Sequence, residues 1–263
     1  MFSSRRSRRW LTLWMLCCCA LLSSLAHAVT VDDLQARTYA NAAGKATPYR
    51  LFVPPHYDAA QKYPLILFLH GAGERGNDNR KQLANHPAPL NLLSEEEGAK
   101  PCFFLAPQCP EGEQWVDTPW GKGSYSTTVP VSDNLQDVLA IIGQTEREFS
   151  IDTQRLYVTG MSMGGYGTWD LVTRNPQMFA AALPVCGAGD PTQAANLKGV
   201  ALWAFHSADD GTVPVSGSRD MLRALWGAGQ TPSYTEYANG GHDAWTRAYN
   251  TKGLAAWLFS FHR

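Results

Sequence analysis

Short apolar runs alternate along the chain with longer stretches in which apolar residues recur at helical spacing. Residues 65–69 are apolar at every position, which is typical of a strand buried on both faces of a sheet. The predicted strands are 49–53, 65–69, 102–106, 156–159, 181–185, 200–205 and 233–237. The predicted helices are 133–149, the segment from the glycine-rich turn after 159 to just before Asn175, 215–227 and 243–261. Asp133 and Gln136, three residues apart, resemble a capping box at the start of the first helix. This alternation predicts an α/β fold with a mostly parallel, twisted sheet and helices on both faces.

The first 28 residues predict a secretory signal peptide that is cleaved. Four arginines lie before an apolar run at 11–25, and Ala26-His27-Ala28 fits the small-residue pattern of a cleavage site. A transmembrane anchor is the alternative, but the run is short for one and the cleavage pattern favours removal. We therefore expect residues 29–263 to form one catalytic domain, periplasmic or secreted by the Sec or twin-arginine route, without stable membrane association.

Composition and charge narrow the class of protein. The chain has 263 residues, 44% of them hydrophobic and 17% charged, as in globular proteins. Removing the four arginines of the signal takes the net charge from −1 to −5, which argues against nucleic-acid binding. Three cysteines remain, Cys102, Cys109 and Cys186, and none has metal-site spacing. We expect unpaired thiols, no metal and no cofactor; the oligomeric state is not predicted.

The pentapeptide Gly160-Met161-Ser162-Met163-Gly164 has the form G-x-S-x-G. A serine nucleophile on a sharp strand-to-helix turn needs small residues two positions away on each side. The pentapeptide alone is weak evidence, but here a predicted strand precedes it and a predicted helix follows it. This context makes Ser162 the candidate nucleophile.

The candidate base and acid follow in chain order. His242 lies in a glycine-rich loop after the last predicted strand, and Asp210 follows an earlier strand. Asp209 is the rival to Asp210, because two adjacent side chains cannot both face the histidine. The order Ser162, Asp210, His242 is that of α/β-hydrolases and differs from those of chymotrypsin and subtilisin.

Two backbone amides are expected to form an oxyanion hole. One is the N–H of Met163, directly after the candidate nucleophile. The other belongs to the loop His70-Gly71-Ala72-Gly73, with Ala72 preferred and Gly73 second. His70 itself is expected to shape this turn rather than to act as a base.

With these motifs in place, the chain resembles the α/β-hydrolase superfamily, and within it bacterial carboxylesterases of the prolyl-oligopeptidase-like and feruloyl-esterase-like groups. The resemblance implies metal-free ester hydrolysis through Ser162, Asp210 and His242. It also implies that no β-propeller is present, which weakens a peptidase function. The segments that carry it are YPLILFLHGAGERG at 63–76, APQCP at 106–110, GMSMGGYGTW at 160–169 and DGTVP at 210–214.

The long connection between Gln108 and Asp133 carries Trp115, Trp120 and Tyr125. We expect it to overhang the nucleophile as an aromatic wall, with Trp115 as the first substrate-binding candidate and with Trp245 and Gly71 contributing. The alternative is that these aromatics pack the connection onto the body of the protein.

The predicted function is serine carboxylesterase activity on small or medium acyl esters, including aryl or carbohydrate-linked ones. The expected partner is a small-molecule or polymeric ester. Three alternatives remain open: a peptidase, a polyhydroxybutyrate depolymerase, or a non-catalytic binding protein on the same fold.

Overall fold

The computed structural model describes residues 28–263, and the predicted signal peptide lies outside them except for its last residue. Each predicted strand is present, 181–185 and 233–237 with the predicted bounds and the others with one or both ends moved, and one further strand precedes them. The strands are β1 (Gln35–Ala40), β2 (Ala46–Phe52), β3 (Tyr63–Leu69), β4 (Phe103–Pro107), β5 (Ile151–Met161), β6 (Ala181–Val185), β7 (Ala201–Ser207) and β8 (Ser233–Tyr237).

All eight strands form one sheet in the order β1-β2-β4-β3-β5-β6-β7-β8. The strands from β4 to β8 run parallel, and only β2 runs antiparallel to both of its neighbours. The expected mostly parallel sheet is therefore confirmed. Strand β1 was missed because it is an edge strand whose residues are all at least partly exposed, so it has no continuous apolar run.

Helices cover both faces of the sheet, as predicted. Alternate residues of β3 divide between two cores: Leu65, Leu67 and Leu69 face one, and Ile66 and Phe68 face the other. The first core contains residues of α2 (Asp133–Glu148), α3 (Met163–Arg174) and α4 (Ser216–Gly227). The second contains residues of α1 (Lys81–Ala84), α5 (Trp245–Tyr249) and α6 (Leu254–Leu258).

Two helix predictions need correction. Residues 243–261 form two short helices rather than one, because Gly253 takes a left-handed conformation with φ of 76° between α5 and α6. Helix α2 is capped by Ser132, whose hydroxyl accepts a hydrogen bond from the Leu135 amide at 3.2 Å. The pair of Asp133 and Gln136 resembled a capping box, but the cap lies one residue earlier.

Within residues 28–263 the three cysteines are buried and unpaired, as expected. No helix in this part of the chain combines the length and apolar character needed to cross a bilayer.

Candidate active site

Ser162 occupies a strained turn between β5 and α3. Its backbone angles, φ of 55° and ψ of −119°, are rare for a residue with a side chain and cost about 1–3 kcal/mol. A Cβ atom at Gly160 or Gly164 would overlap the carbonyl oxygen of Leu69 at the end of β3. The two glycines therefore let the turn approach the neighbouring strand, which is the physical reason for the G-x-S-x-G pattern.

Two short hydrogen bonds connect the three candidate catalytic side chains. Ser162 Oγ lies 2.7 Å from His242 Nε2, and His242 Nδ1 lies 2.7 Å from Asp210 Oδ2. An ionised carboxylate only accepts hydrogen bonds, so Nδ1 of His242 donates and Nε2 is left to accept the serine hydroxyl hydrogen. The side chain of His242 is 22% exposed, whereas that of Asp210 is fully buried.

Four N–H groups surround the carboxylate of Asp210. Oδ1 accepts from the amides of Thr212 at 2.8 Å and Val213 at 2.9 Å, while Oδ2 contacts His242 at 2.7 Å and His206 at 3.1 Å. Burial would by itself raise the pKa of Asp210, but these hydrogen bonds outweigh it and hold the pKa far below its ordinary value. The carboxylate is therefore ionised at any pH at which an imidazole can act as a base.

Asp209, the rival candidate, takes another position. Its carboxylate accepts from the amides of Gly241 at 2.9 Å and Gly240 at 3.3 Å. It holds the loop that carries His242, while Asp210 contacts the imidazole itself. Of the two adjacent acids, the structure thus brings Asp210 into the hydrogen-bonded triad.

The backbone expected to form the oxyanion hole lies beside Ser162. Met163 is the first residue of α3, where an amide has no acceptor within its own helix. A Cβ on Gly71 would lie 3.6 Å from the Cβ of Ser162, so the Gly71–Ala72 peptide is adjacent to the nucleophile. Gly73 is exposed, with no atom within 4 Å of a Cβ built on it. This placement favours Ala72 over Gly73 as the second donor.

His70 fixes the start of this loop. Its Nε2 accepts from the amide of Cys109 at 2.9 Å, so Nδ1 carries the hydrogen and donates to the carbonyl of Gly71 at 2.6 Å. Burial lowers the pKa of His70 to about 4, against an opposing effect of the bond to Gly71. The neutral ring shapes the turn, as the sequence suggested.

The expected aromatic wall is wrong for Trp115. Its side chain has no solvent exposure, and its indole N–H donates to the carbonyl of His70 at 3.0 Å. It therefore packs the connection onto the body, where it stacks edge-on against the His70 ring with centroids 5.2 Å apart. Trp245, in contrast, is partly exposed, and its ring centroid is 5.3 Å from that of His242.

Two residues near the triad were not singled out by the sequence. His206 contacts Asp210, and the only available signal was its position four residues earlier at the end of a strand. Cys186 follows β6 with φ of 40°. Its sulfur lies within 4.8 Å of a carboxylate oxygen of Asp210 and an imidazole nitrogen of His242, a set of atoms that could hold a metal ion. Asp210 and His242 are already bonded to each other, and burial raises the pKa of the Cys186 thiol, which disfavours the thiolate that a metal would bind. This chemistry favours a hydrogen-bonded triad over a metal site.

Comparison with known proteins agrees with this geometry. Residues 40–253 match the model of the Esterase family. The chain belongs to this family. A thermostable esterase of known structure is 38% identical with a TM-score of 0.81, and the match covers 89% of this chain and 64% of that one. The fold is therefore the α/β-hydrolase fold, as expected.

Two further relatives carry names that describe substrates. "Probable feruloyl esterase C" of Aspergillus terreus is 26% identical over 216 residues, which cover 77% of this chain and 74% of the relative. A bifunctional acetylxylan esterase/xylanase of Neocallimastix patriciarum is 27% identical over 158 residues, 60% of this chain and 20% of that protein. The chain thus spans about a fifth of the bifunctional enzyme and under two thirds of the thermostable esterase.

Proposed function

We propose that this member of the Esterase family is a serine carboxylesterase whose catalytic domain comprises residues 29–263. The observation that carries the proposal is the chain of two 2.7 Å hydrogen bonds from Ser162 through His242 to Asp210, built on a strained turn. A serine, a histidine that can accept its proton and a carboxylate that orients the histidine are the parts that acyl transfer needs.

In the proposed reaction, Nε2 of His242 takes the proton of Ser162 as its Oγ attacks the ester carbonyl. The carboxylate of Asp210 stabilises the imidazolium that forms, and His242 then gives the proton to the departing alcohol. A water molecule, deprotonated by the same imidazole, attacks the acyl-enzyme and releases the acid. In this proposal the amides of Met163 and Ala72 hold the negative oxygen in both steps.

The first test is the variant Ser162→Ala with p-nitrophenyl acetate as substrate. We expect kcat to fall by about 10⁴–10⁶-fold, as in other serine hydrolases that lose the nucleophile. Ser260→Ala, an exposed serine far along the chain, is the matched control and should keep full activity. Esterase activity retained in Ser162→Ala would refute the serine mechanism, and a folded wild type that hydrolyses no ester would favour a binding function.

A proline-containing amide in the same experiment separates the esterase from a peptidase. The expected result is ester turnover without amide turnover. Amide cleavage that depends on Ser162 would replace the proposed function with the peptidase alternative.

For the substrate, we propose an ester linked to a carbohydrate. A shallow cavity of about 410 Å³ lies beyond Trp245. His242 protonates the leaving alcohol in the proposed reaction, and Trp245 packs against His242. We therefore infer that the alcohol part of the substrate extends toward this cavity. The cavity is lined by Asn85, His86, Pro87, Ala88, Asn91, Trp245, Thr246 and Asn250.

The lining of the cavity suits a hydroxyl-rich group. The rings of His86 and Trp245 contact each other with centroids 5.2 Å apart and provide an aromatic surface. Asn91 donates to Asn250 Oδ1 at 2.8 Å, and Asn250 in turn donates to the carbonyl of Thr246 at 2.7 Å. The side chains of Asn85 and Asn91 keep amide groups that can bond sugar hydroxyls. The names of the feruloyl and acetylxylan esterase relatives agree with such a substrate.

The double variant Asn85→Ala/Asn91→Ala tests the substrate class. We expect kcat/KM on a feruloylated or acetylated xylo-oligosaccharide to fall about tenfold, since about two hydrogen bonds to hydroxyls are lost. Activity on methyl ferulate should stay unchanged, and Asn196→Ala, an exposed asparagine on the surface, should alter neither substrate. An equal change for both esters would contradict the carbohydrate assignment.

We also propose that the protein is exported, to the periplasm or beyond the cell. The basic, apolar and small-residue pattern of residues 1–28 supports this. N-terminal sequencing of the expressed protein should find Val29 as the first residue.

A further inference from the structure

His206 lies at the carboxyl end of β7 and is completely buried. Its Nε2 lies 3.1 Å from Oδ2 of Asp210 and 3.1 Å from the carbonyl oxygen of Val213. On the other side of the ring, Nδ1 lies 2.8 Å from the hydroxyl of Ser218 in α4. A second imidazole therefore contacts the same carboxylate oxygen that binds His242.

The hydrogen positions on His206 follow from its partners. Both neighbours of Nε2 are acceptors, a carboxylate and a carbonyl, so Nε2 carries a hydrogen and donates it. In the neutral ring Nδ1 is then an acceptor. The Ser218 hydroxyl has two acceptors in reach, Nδ1 of His206 at 2.8 Å and the carbonyl oxygen of Gly187 at 3.3 Å, and donates to the nearer one, Nδ1. The two acceptors at Nε2 thus fix the tautomer of His206 that bonds Asp210, and the Ser218 hydroxyl is compatible with it.

We propose that His206 is a positioning residue for the esterase reaction: it fixes the carboxylate of Asp210 and shares its Oδ2 with His242. This inference rests on the proposed function. Two chains of hydrogen bonds meet at Asp210. One runs from Ser218 through His206, and the other runs from Ser162 through His242.

Sharing Oδ2 has two consequences for the reaction. First, the carboxylate has an N–H partner for each of its lone-pair directions, so it cannot rotate away from His242 as the imidazolium forms. Second, the bond from His206 withdraws part of the negative charge that would otherwise stabilise the imidazolium of His242. Removing that bond should make His242 more readily protonated and less well oriented.

Three further ionisable groups lie near Asp210 and His206. Burial raises the pKa of Tyr166 in α3 and of Cys186 after β6 above their ordinary values, so neither loses its proton at neutral pH. Glu236 of β8 interacts with His206 and is held ionised by Arg219, which is the largest effect on its pKa, lowered to about 2. None of these three groups therefore changes its charge near neutral pH.

The experiment measures kcat, KM and the pH profile of kcat/KM for wild type, His206→Phe and His206→Gln with p-nitrophenyl acetate. In His206→Phe we expect kcat to fall about tenfold with KM little changed, and the acid limb to move up by about half a unit to one unit. In His206→Gln an amide N–H can replace the Nε2 donor, so the acid limb should return toward its wild-type position. Ser218→Ala should give a smaller shift in the direction of the phenylalanine variant.

Phe205→Leu is the matched control because it alters a buried ring in the same strand without touching Asp210. It should lower the Tm and leave the acid limb in place. An active His206→Phe with a wild-type pH profile and kcat would overturn the proposal, and so would a glutamine variant that behaves as phenylalanine does. If His206→Phe does not fold, the glutamine and Ser218→Ala variants decide. A failure of the proposed function would appear separately, as a wild type that hydrolyses no ester.

Discussion

The turn that carries Ser162 and the aromatic connection that follows β4 are both predicted as functional from the sequence. In the structure, their side chains have opposite roles. At the turn, backbone strain presents a small polar side chain to His242. In the connection, Trp115 and Tyr125 point inward: the indole donates to the carbonyl of His70, and the phenol donates to Asp170 at 3.0 Å. One region is built to expose a reactive atom, and the other is built to hold the body together.

This difference follows from what each pattern constrains. The glycines at 160 and 164 are required by the close approach of the backbone, so their spacing specifies a conformation. An aromatic residue in a long connection can either pack inward or line a pocket, since both places remove apolar area from water, and its side chain alone does not decide between them. The first pattern therefore predicts geometry, whereas the second predicts only burial.

The substitution Gly164→Ala tests the close backbone approach at the turn, and it should have the largest effect on the free energy of unfolding. Its Cβ would overlap the carbonyl of Leu69, so we expect either no folded protein or a loss of more than about 4 kcal/mol in the free energy of unfolding. Urea denaturation followed by circular dichroism measures it. Gly143→Ala in α2 is the matched control, since a Cβ there meets only Arg147 at 3.5 Å, and it should stabilise by up to about 1 kcal/mol. Equal effects at the two glycines would refute the close-approach argument.

Truncation of Trp115 should have the next largest effect, and on stability rather than on substrate binding. Trp115→Ala removes a fully buried indole and its hydrogen bond, which should cost about 3–5 kcal/mol. At a temperature where the variant is folded, KM for aryl and alkyl esters should match wild type. Trp120→Ala, a partly exposed tryptophan in the same connection, should cost less than half as much. A raised KM for aryl esters with an unchanged Tm would instead support the hypothesis that Trp115 is part of a substrate-binding aromatic wall.

The sequence predicted those features that depend on residues close together in the chain. Continuous apolar runs such as 65–69 marked the buried strands, and the G-x-S-x-G turn marked Ser162. The edge strand β1 lacked such a run, and the cap at Ser132 was displaced by one residue from a similar pattern. The contact of His206 with Asp210 depends on how side chains are arranged at the end of a strand. No sequence pattern specifies that arrangement, so the contact could not be predicted.

His70 is the place where the two regions meet. Its ring holds the loop beside Ser162 through the carbonyl of Gly71, and its own carbonyl accepts the indole N–H of Trp115. Protonation of this buried ring should therefore loosen both regions together. Burial lowers its pKa in the folded protein to about 4 from an ordinary value of 6.5.

The sign of the pH effect follows from proton binding. Between pH 6.5 and pH 4 the unfolded chain holds a proton on His70 that the folded protein lacks, so stability falls as the pH is lowered through this window. The full difference amounts to about 3 kcal/mol. We expect His70→Gln to lose this part of the pH dependence, measured as the free energy of unfolding at pH 7 and at pH 4. His262→Gln, at a histidine that is exposed in the folded protein, is the matched control and should keep the wild-type slope. If His70→Gln and wild type lose the same stability over this window, the ring at position 70 is not the buried neutral group that joins the two regions.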